Sequence, residues 1–174
     1  MAMSGSELPP AREPRQSSWL AVANVVPYAL VALGLRFLMA RVFLLSGQGK
    51  IAGPEIPISL IKGAEFTIVL PAEVKPETFE LFRTQYADLP MPSTVAAYLF
   101  SYAEFVLPVC LVLGFATRLS ALALLVMTVL IQVYVAPEAL WTAHVYIFAI
   151  LAVLISAGPG AISLDAIVRA VHQK

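Results

Sequence analysis

Cysteine is all but missing from this 174-residue chain, with Cys110 standing alone. No internal disulfide can form, and no CxxC pair exists to hold a metal or run redox chemistry. Cys110 lies inside an apolar run and reads as a small buried hydrophobe. Histidine is nearly as scarce, with His144 and His172 the two present. No pair of histidines stands at axial-ligand spacing, and no haem, iron–sulfur or flavin motif accompanies them. Neither a metal site nor a covalently bound cofactor is expected. Charge is also thin: 13% of residues are charged, and the 11 basic and 11 acidic side chains cancel. A balanced chain of this kind has no general field for nucleic acid, and none is expected as a partner.

What the chain has in abundance is apolar surface. Hydrophobic residues make up 60% of it and the mean hydropathy is +0.85, well beyond a soluble domain of ordinary composition. The stretch Val95–Gly114 is long and apolar enough to cross a bilayer, yet it carries Glu104 near its middle. A spanning helix needs about 20 apolar residues, and an ionisable group at mid-depth costs roughly 2.5–3.5 kcal/mol. Glu104 therefore needs a partner or a proton.

Three further runs of the same kind complete an all-α transmembrane four-helix bundle, with spans expected over about 25–46, 95–115, 119–135 and 139–157. Residues 1–18 are polar and punctuated by Pro9, Pro10 and Pro14, which reads as a disordered tail ahead of a single membrane domain over 19–174. A secretory signal is not expected, because the following apolar run is too long for an h-region and no small-residue cleavage site interrupts it. Trp19 suits the membrane interface.

Residues 47–93 form the long polar connection. Ile56, Ile58 and Leu60 alternate with Pro57 and Ser59, and Phe66, Ile68 and Leu70 alternate with Glu65, Thr67 and Val69, across Lys62-Gly63-Ala64. That pattern predicts a small extracytoplasmic β-hairpin, with Pro57 confining the first strand to an edge. Pro76-Glu77-Thr78 then opens a short amphipathic helix whose Phe79, Phe82 and Tyr86 face lies against the bundle or in the interface. After the fourth span, Gly158-Pro159-Gly160 stops the helix, and Ser163-Leu164-Asp165 can cap an amphipathic helix containing Ile167, Val168 and Val171. Arg12, Arg15, Arg118, Arg169 and Lys174 fall on one side of the spans, whereas the long connection holds four basic against six acidic residues, a net charge of −2. This asymmetry places both termini in the cytoplasm and the insertion outside.

The intramembrane polar groups define the candidate site. Arg36 and Glu104 both fall near the middle of their spans, and Arg41, Gln132 and His144 lie roughly 6–8 Å nearer the outer surface at about 1.5 Å per residue. An Arg36–Glu104 ion pair is expected, with Arg41, Gln132 and His144 as its outer shell. Either arginine can instead snorkel to an interface, and polar groups of this kind often serve only to fix helix packing. The chemical reading is a quinone pocket opening outward and lined by Arg41, Tyr102, Gln132, Trp141 and His144. Arg41 or His144 would donate to a quinone carbonyl, Glu104 or His144 would relay protons, and Trp141 or Tyr102 would cover the ring. Glu104, His144 and Arg41 are thus the catalytic candidates.

Several local motifs resemble the DoxX family of small four-span membrane proteins over roughly Leu33–Ala166. They are Arg41-Val-Phe-Leu-Leu-Ser-Gly-Gln-Gly-Lys50, Tyr102-Ala-Glu-Phe-Val-Leu-Pro108, Gly114-Phe-Ala-Thr-Arg118-Leu-Ser-Ala and Gly158-Pro-Gly160-Ala-Ile-Ser-Leu-Asp165. The departure is Pro54–Pro76, longer than in a compact family member, which suits a partner-binding insertion. The resemblance implies a bacterial inner-membrane protein that is an accessory subunit of a quinone-linked redox complex, held among other membrane subunits and lipid, with quinone as its non-covalent cofactor. The alternative is a non-catalytic structural or assembly subunit that binds its partner through the external insertion.

Overall fold

The computed structural model describes residues 28–59 and 65–172. The tail read as disordered, Trp19, the first residues of the first span and the hairpin turn at Lys62-Gly63-Ala64 lie outside the described residues. Among the described residues four helical runs are long and apolar enough to cross a membrane: α1 (Tyr28–Gln48), α3 (Ser93–Leu113), α4 (Thr117–Tyr134) and the run Pro137–Ala157, in which a 3₁₀ turn at Pro137–Ala139 and a π turn at Leu140–His144 lead into α5 (Val145–Ala157). Between α1 and α3 stand strands β1 (Ile51–Ala52), β2 (Glu55–Ser59), β3 (Glu65–Val69) and β4 (Glu73–Val74) and helix α2 (Pro76–Thr84). Helix α6 (Leu164–His172) closes the chain.

The spans form a ring in which α1 packs on α3, α3 on α4, α4 on α5, and α5 closes on α1. Its interior is built from Met39, Phe43, Phe100, Leu111, Leu124, Leu151 and Leu154, all buried. The outward residues are as apolar as the inward ones: Phe37, Leu45, Leu99, Val106, Val126 and Val133 are exposed. In water that surface would be untenable, whereas a bilayer is its natural solvent.

Local chemistry explains where each span stops. Helix α3 ends in a Schellman turn: Gly114 takes the left-handed conformation, its N–H donates to Leu111 O at 3.1 Å, and the Phe115 N–H donates to Cys110 O at 2.9 Å. Ala116, also left-handed at φ 45°, leads straight into α4 and has no side-chain cap of its own. The cap comes from far along the chain. Asp165 Oδ1 accepts from the Ala116 N–H at 2.7 Å and Oδ2 from the Thr117 N–H at 2.9 Å, placing a carboxylate on the positive end of the α4 dipole. Ser163 caps α6 itself, its hydroxyl oxygen accepting from the Ala166 N–H at 3.1 Å.

The insertion is a ribbon folded over one end of the bundle, here called the insertion end. At its base β1 pairs antiparallel with β4, Ile51 opposite Val74, and both side chains are buried. Further out β2 pairs with β3 from Glu55–Val69 to Ser59–Glu65, the hairpin expected from the alternation. Gly53 is needed at the join, since a Cβ there would fall 2.1 Å from the Leu70 carbonyl oxygen. Helix α2 lies against the bundle rather than free in the interface. Phe79 meets Tyr98 edge-on at 5.2 Å and Phe82, fully buried, meets Phe100 at 5.6 Å. These aromatic contacts clamp the insertion onto the first two turns of α3.

Candidate functional site

Glu104 does find a cation, and it is Lys50. The Lys50 Nζ lies 2.6 Å from both Glu104 carboxylate oxygens and 3.2 Å from Ser46 Oγ. The two side chains are 10% and 2% exposed. An ammonium has three donors, and here each has an acceptor. The backbone of Lys50 is tied down as well. Its N–H donates to Gly47 O at 2.9 Å, and its carbonyl accepts from the Lys75 N–H at 3.0 Å and the Thr78 hydroxyl at 2.9 Å. The insertion thus delivers the counter-ion into the bundle and is anchored there by it.

Close backbone approach makes this possible. A Cβ on Gly47 would fall 2.9 Å from Glu104 Cβ and 3.1 Å from Glu104 O, so only glycine lets α1 lie against α3 at this level. Pro108 sits one turn further along α3 and has no N–H to give back to Glu104 O. Ser101, one turn away on the same face and fully buried, keeps a hydroxyl without a partner among the described residues. Tyr86, just after α2, faces the same cluster. Burial, and then the Glu104 charge, push its phenol above its ordinary pKa of 10.0.

The expected Arg36–Glu104 pair is corrected by this geometry. Arg36 is fully buried, but its guanidinium reaches the other end of the bundle. Nη1 donates to Leu111 O at 3.4 Å and Nη2 to Ile162 O, and Nη1 occupies the space a Gly114 Cβ would fill, at 2.2 Å. It therefore caps the last turn of α3, at the negative end of that dipole, with the Asp165 carboxylate close enough to interact. The reason is an axial offset. Gly47, nine residues beyond the midpoint of α1, faces Glu104 at the midpoint of α3, a shift of roughly 14 Å at about 1.5 Å per residue. The tilt of Cα–Cβ toward the helix N-terminus then carries Arg36 still further from Glu104.

Of the remaining candidates, Gln132 and His144 are brought together. His144 Nδ1 lies 2.6 Å from Gln132 Oε1, while Gln132 Nε2 donates to Pro137 O at 2.8 Å. Because the amide nitrogen is committed to Pro137, Oε1 must accept. The His144 Nδ1 then carries the proton, and Nε2 of the neutral ring is an acceptor. The π turn at Leu140–His144 presents this pair at the insertion end. Arg41 is exposed on α1 and Trp141 is 76% exposed. Tyr102 stacks on Tyr98, ring centroids 6.5 Å apart. Both tyrosines line an apolar groove of about 990 Å³ between α3 and α4, together with Leu99, Val106, Leu122 and Val126. That groove includes none of Arg41, Gln132, Trp141 or His144.

A ring of four apolar spans, lipid-facing on its outside and tied by charges within, defines a multi-pass integral membrane protein. The DoxX family model matches residues 31–137, well over half of the chain, and the protein belongs to the DoxX family. The match takes in the first three spans, the whole insertion and the Lys50–Glu104 pair. It leaves α5 and α6 outside. No curated protein and no solved structure matches the chain.

Proposed function

We propose that this DoxX-family protein is a non-catalytic accessory subunit that anchors and orders a larger complex in the bacterial inner membrane. On this reading both termini are cytoplasmic and the insertion offers its hairpin to a partner on the periplasmic side. The observation that carries the reading is the state of β2 and β3. Among the described residues they pair only with each other, and Ile56 is 44% exposed on an edge strand. An isolated two-stranded hairpin is marginal in water. A partner that adds a strand to either free edge would complete it, while the buried base at Ile51 and Val74 and the Lys50–Glu104 pair keep the platform rigid. The fully committed ammonium fits this role, since a cation with no spare donor is a poor proton relay.

The family resemblance supports a quinone-linked redox assembly as the kind of complex. One observation favours a share in the chemistry as well: among the described residues the Gln132–His144 pair leaves His144 Nε2 without a partner at the insertion end, where a quinol hydroxyl can donate to it. The two readings separate in one purification series. Replacing residues 55–69 by a two-residue Asn-Gly turn joins Pro54 to Leu70, which already bond at 2.9 Å, and should release the partner while the bundle stays folded. Glu104→Gln should lower stability but retain the partner. If the hairpin deletion keeps its partner, the assembly reading fails. If His144→Gln strips copurifying quinone, the chemical reading replaces it.

A further inference from the structure

Helix α6 turns its apolar side away from the protein. The helical repeat puts Leu164, Ile167, Val168 and Val171 on one arc, and these are exposed by 40, 60, 49 and 66%. The half-buried residues are Asp165 and Ala166, on another side of the helix. A helix built for water does the reverse. By the same repeat His172 borders the apolar arc and Arg169 falls on the side of Asp165 and Ala166; both are exposed, and Lys174 follows in the sequence. The one acidic residue of the helix, Asp165, is engaged by the backbone of α4. The polar residues left to the solvent side of the helix are therefore basic.

Position supplies the second argument. The Asp165 bonds to Ala116 and Thr117, and that from the Asp165 N–H to Gly114 O at 2.9 Å, hold the first turn of α6 level with the ends of two spans. That is the boundary of the hydrocarbon, in the leaflet opposite the insertion. Phe115, Leu119 and Ile162 are exposed there too, so the lipid-facing belt of the bundle runs on into the apolar arc. We propose that α6 is an in-plane anchor seated in the headgroup region of this leaflet, and that its basic edge selects anionic phospholipid. Amphipathic helices with this layout bury their apolar arc about 5–10 Å into the boundary. A basic side chain at an anionic surface strengthens attachment roughly fivefold.

The test uses the full chain with Trp19→Phe and Trp141→Phe, the sole tryptophans, and Val171→Trp as reporter, with Ile167→Trp as an independent second reporter. Each is reconstituted in phosphatidylcholine vesicles containing phosphatidylglycerol, with bromine on the acyl chains of one lipid at a time. Strong quenching is expected, greater when phosphatidylglycerol carries the bromine. Arg169→Gln with Lys174→Gln should bring the two carriers to near parity. Water-like emission without quenching would overturn the membrane seat. Equal quenching by both carriers in the unaltered basic background would overturn the anionic selectivity. Blue-shifted emission that bromine does not touch would mean that protein covers the arc, and would overturn both.

Discussion

Breaking the Lys50–Glu104 pair from one side should cost more than removing it altogether. In Lys50→Met the Glu104 carboxylate stays 2% exposed with its two 2.6 Å contacts gone. In Glu104→Leu the ammonium keeps only Ser46. Each single substitution should destabilise by about 3–5 kcal/mol, the cost of an unpaired buried charge. Both sites are nearly closed to solvent, so little screening reduces that figure. The double variant carries two apolar side chains of similar volume, and its main loss is one partner for the Ser46 hydroxyl, about 1 kcal/mol. The two single effects should therefore overshoot the double by at least about 5 kcal/mol, far beyond the roughly 0.5 kcal/mol scatter of independent sites.

The lone thiol makes the assay simple. Cys110 is half-buried in α3, and a thiol-reactive fluorophore in detergent reports the opening of that helix as temperature or denaturant rises. A parallel cycle of Arg36→Met with Glu104→Leu should be additive, because Arg36 is spent on Leu111 and Ile162 at the other end of the bundle. Additivity in the lysine cycle, or strong coupling in the arginine cycle, would refute the assignment of Lys50 as the counter-ion.

Two further outcomes probe the end of the bundle opposite the insertion. Asp165→Ala should cost about 1–2 kcal/mol, the value of a helix N-cap, with Asp165→Asn recovering part of it through its one remaining amide oxygen; equal loss in both would mean that charge and not capping matters, and no loss would mean that α4 needs no cap. Gly114→Ala should cost well over about 1 kcal/mol, because it adds a left-handed alanine and drives a Cβ to 2.2 Å from Arg36 Nη1 and 2.5 Å from Ser163 Cβ. Gly34→Ala, with no atom of the described residues within 4 Å, should be neutral or stabilise α1 by up to about 1 kcal/mol. Similar melting temperatures for the two glycine variants would sink the account of how Arg36 is housed.

The elements were legible because each rests on a local signal. Unbroken apolar runs mark the spans, alternation about Ile56 and Ile68 marks the hairpin, and Gly114 and Gly158 mark helix ends. The two-residue pairing of β1 with β4 was not legible, since nothing in Ile51-Ala52 or Glu73-Val74 alternates for long enough to register. The remote cap of α4 was hidden for another reason. Asp165 sits beside Ser163 in the sequence and looks like part of that local cap, while its true partners are 48 and 49 residues away.

The site failed on one assumption, that neighbouring spans share a common midplane. Counting from the centre of each run makes Arg36 and Glu104 neighbours and leaves Lys50 in the loop. Yet spacings of seven, four and three residues put Arg36, Phe43, Gly47 and Lys50 on one helical face, and all four are buried. Glycine in that row is the clue that counting overlooks. A backbone-to-backbone approach at Gly47 requires a facing helix at its level, and of the two cations on the face Lys50 lies three residues from Gly47 while Arg36 lies eleven. An intramembrane carboxylate packed against such a glycine draws its counter-ion from beyond the formal end of the span. This also binds the insertion to the bundle: moving β1 and α2 away would pull Lys50 with them and leave Glu104 bare in the membrane.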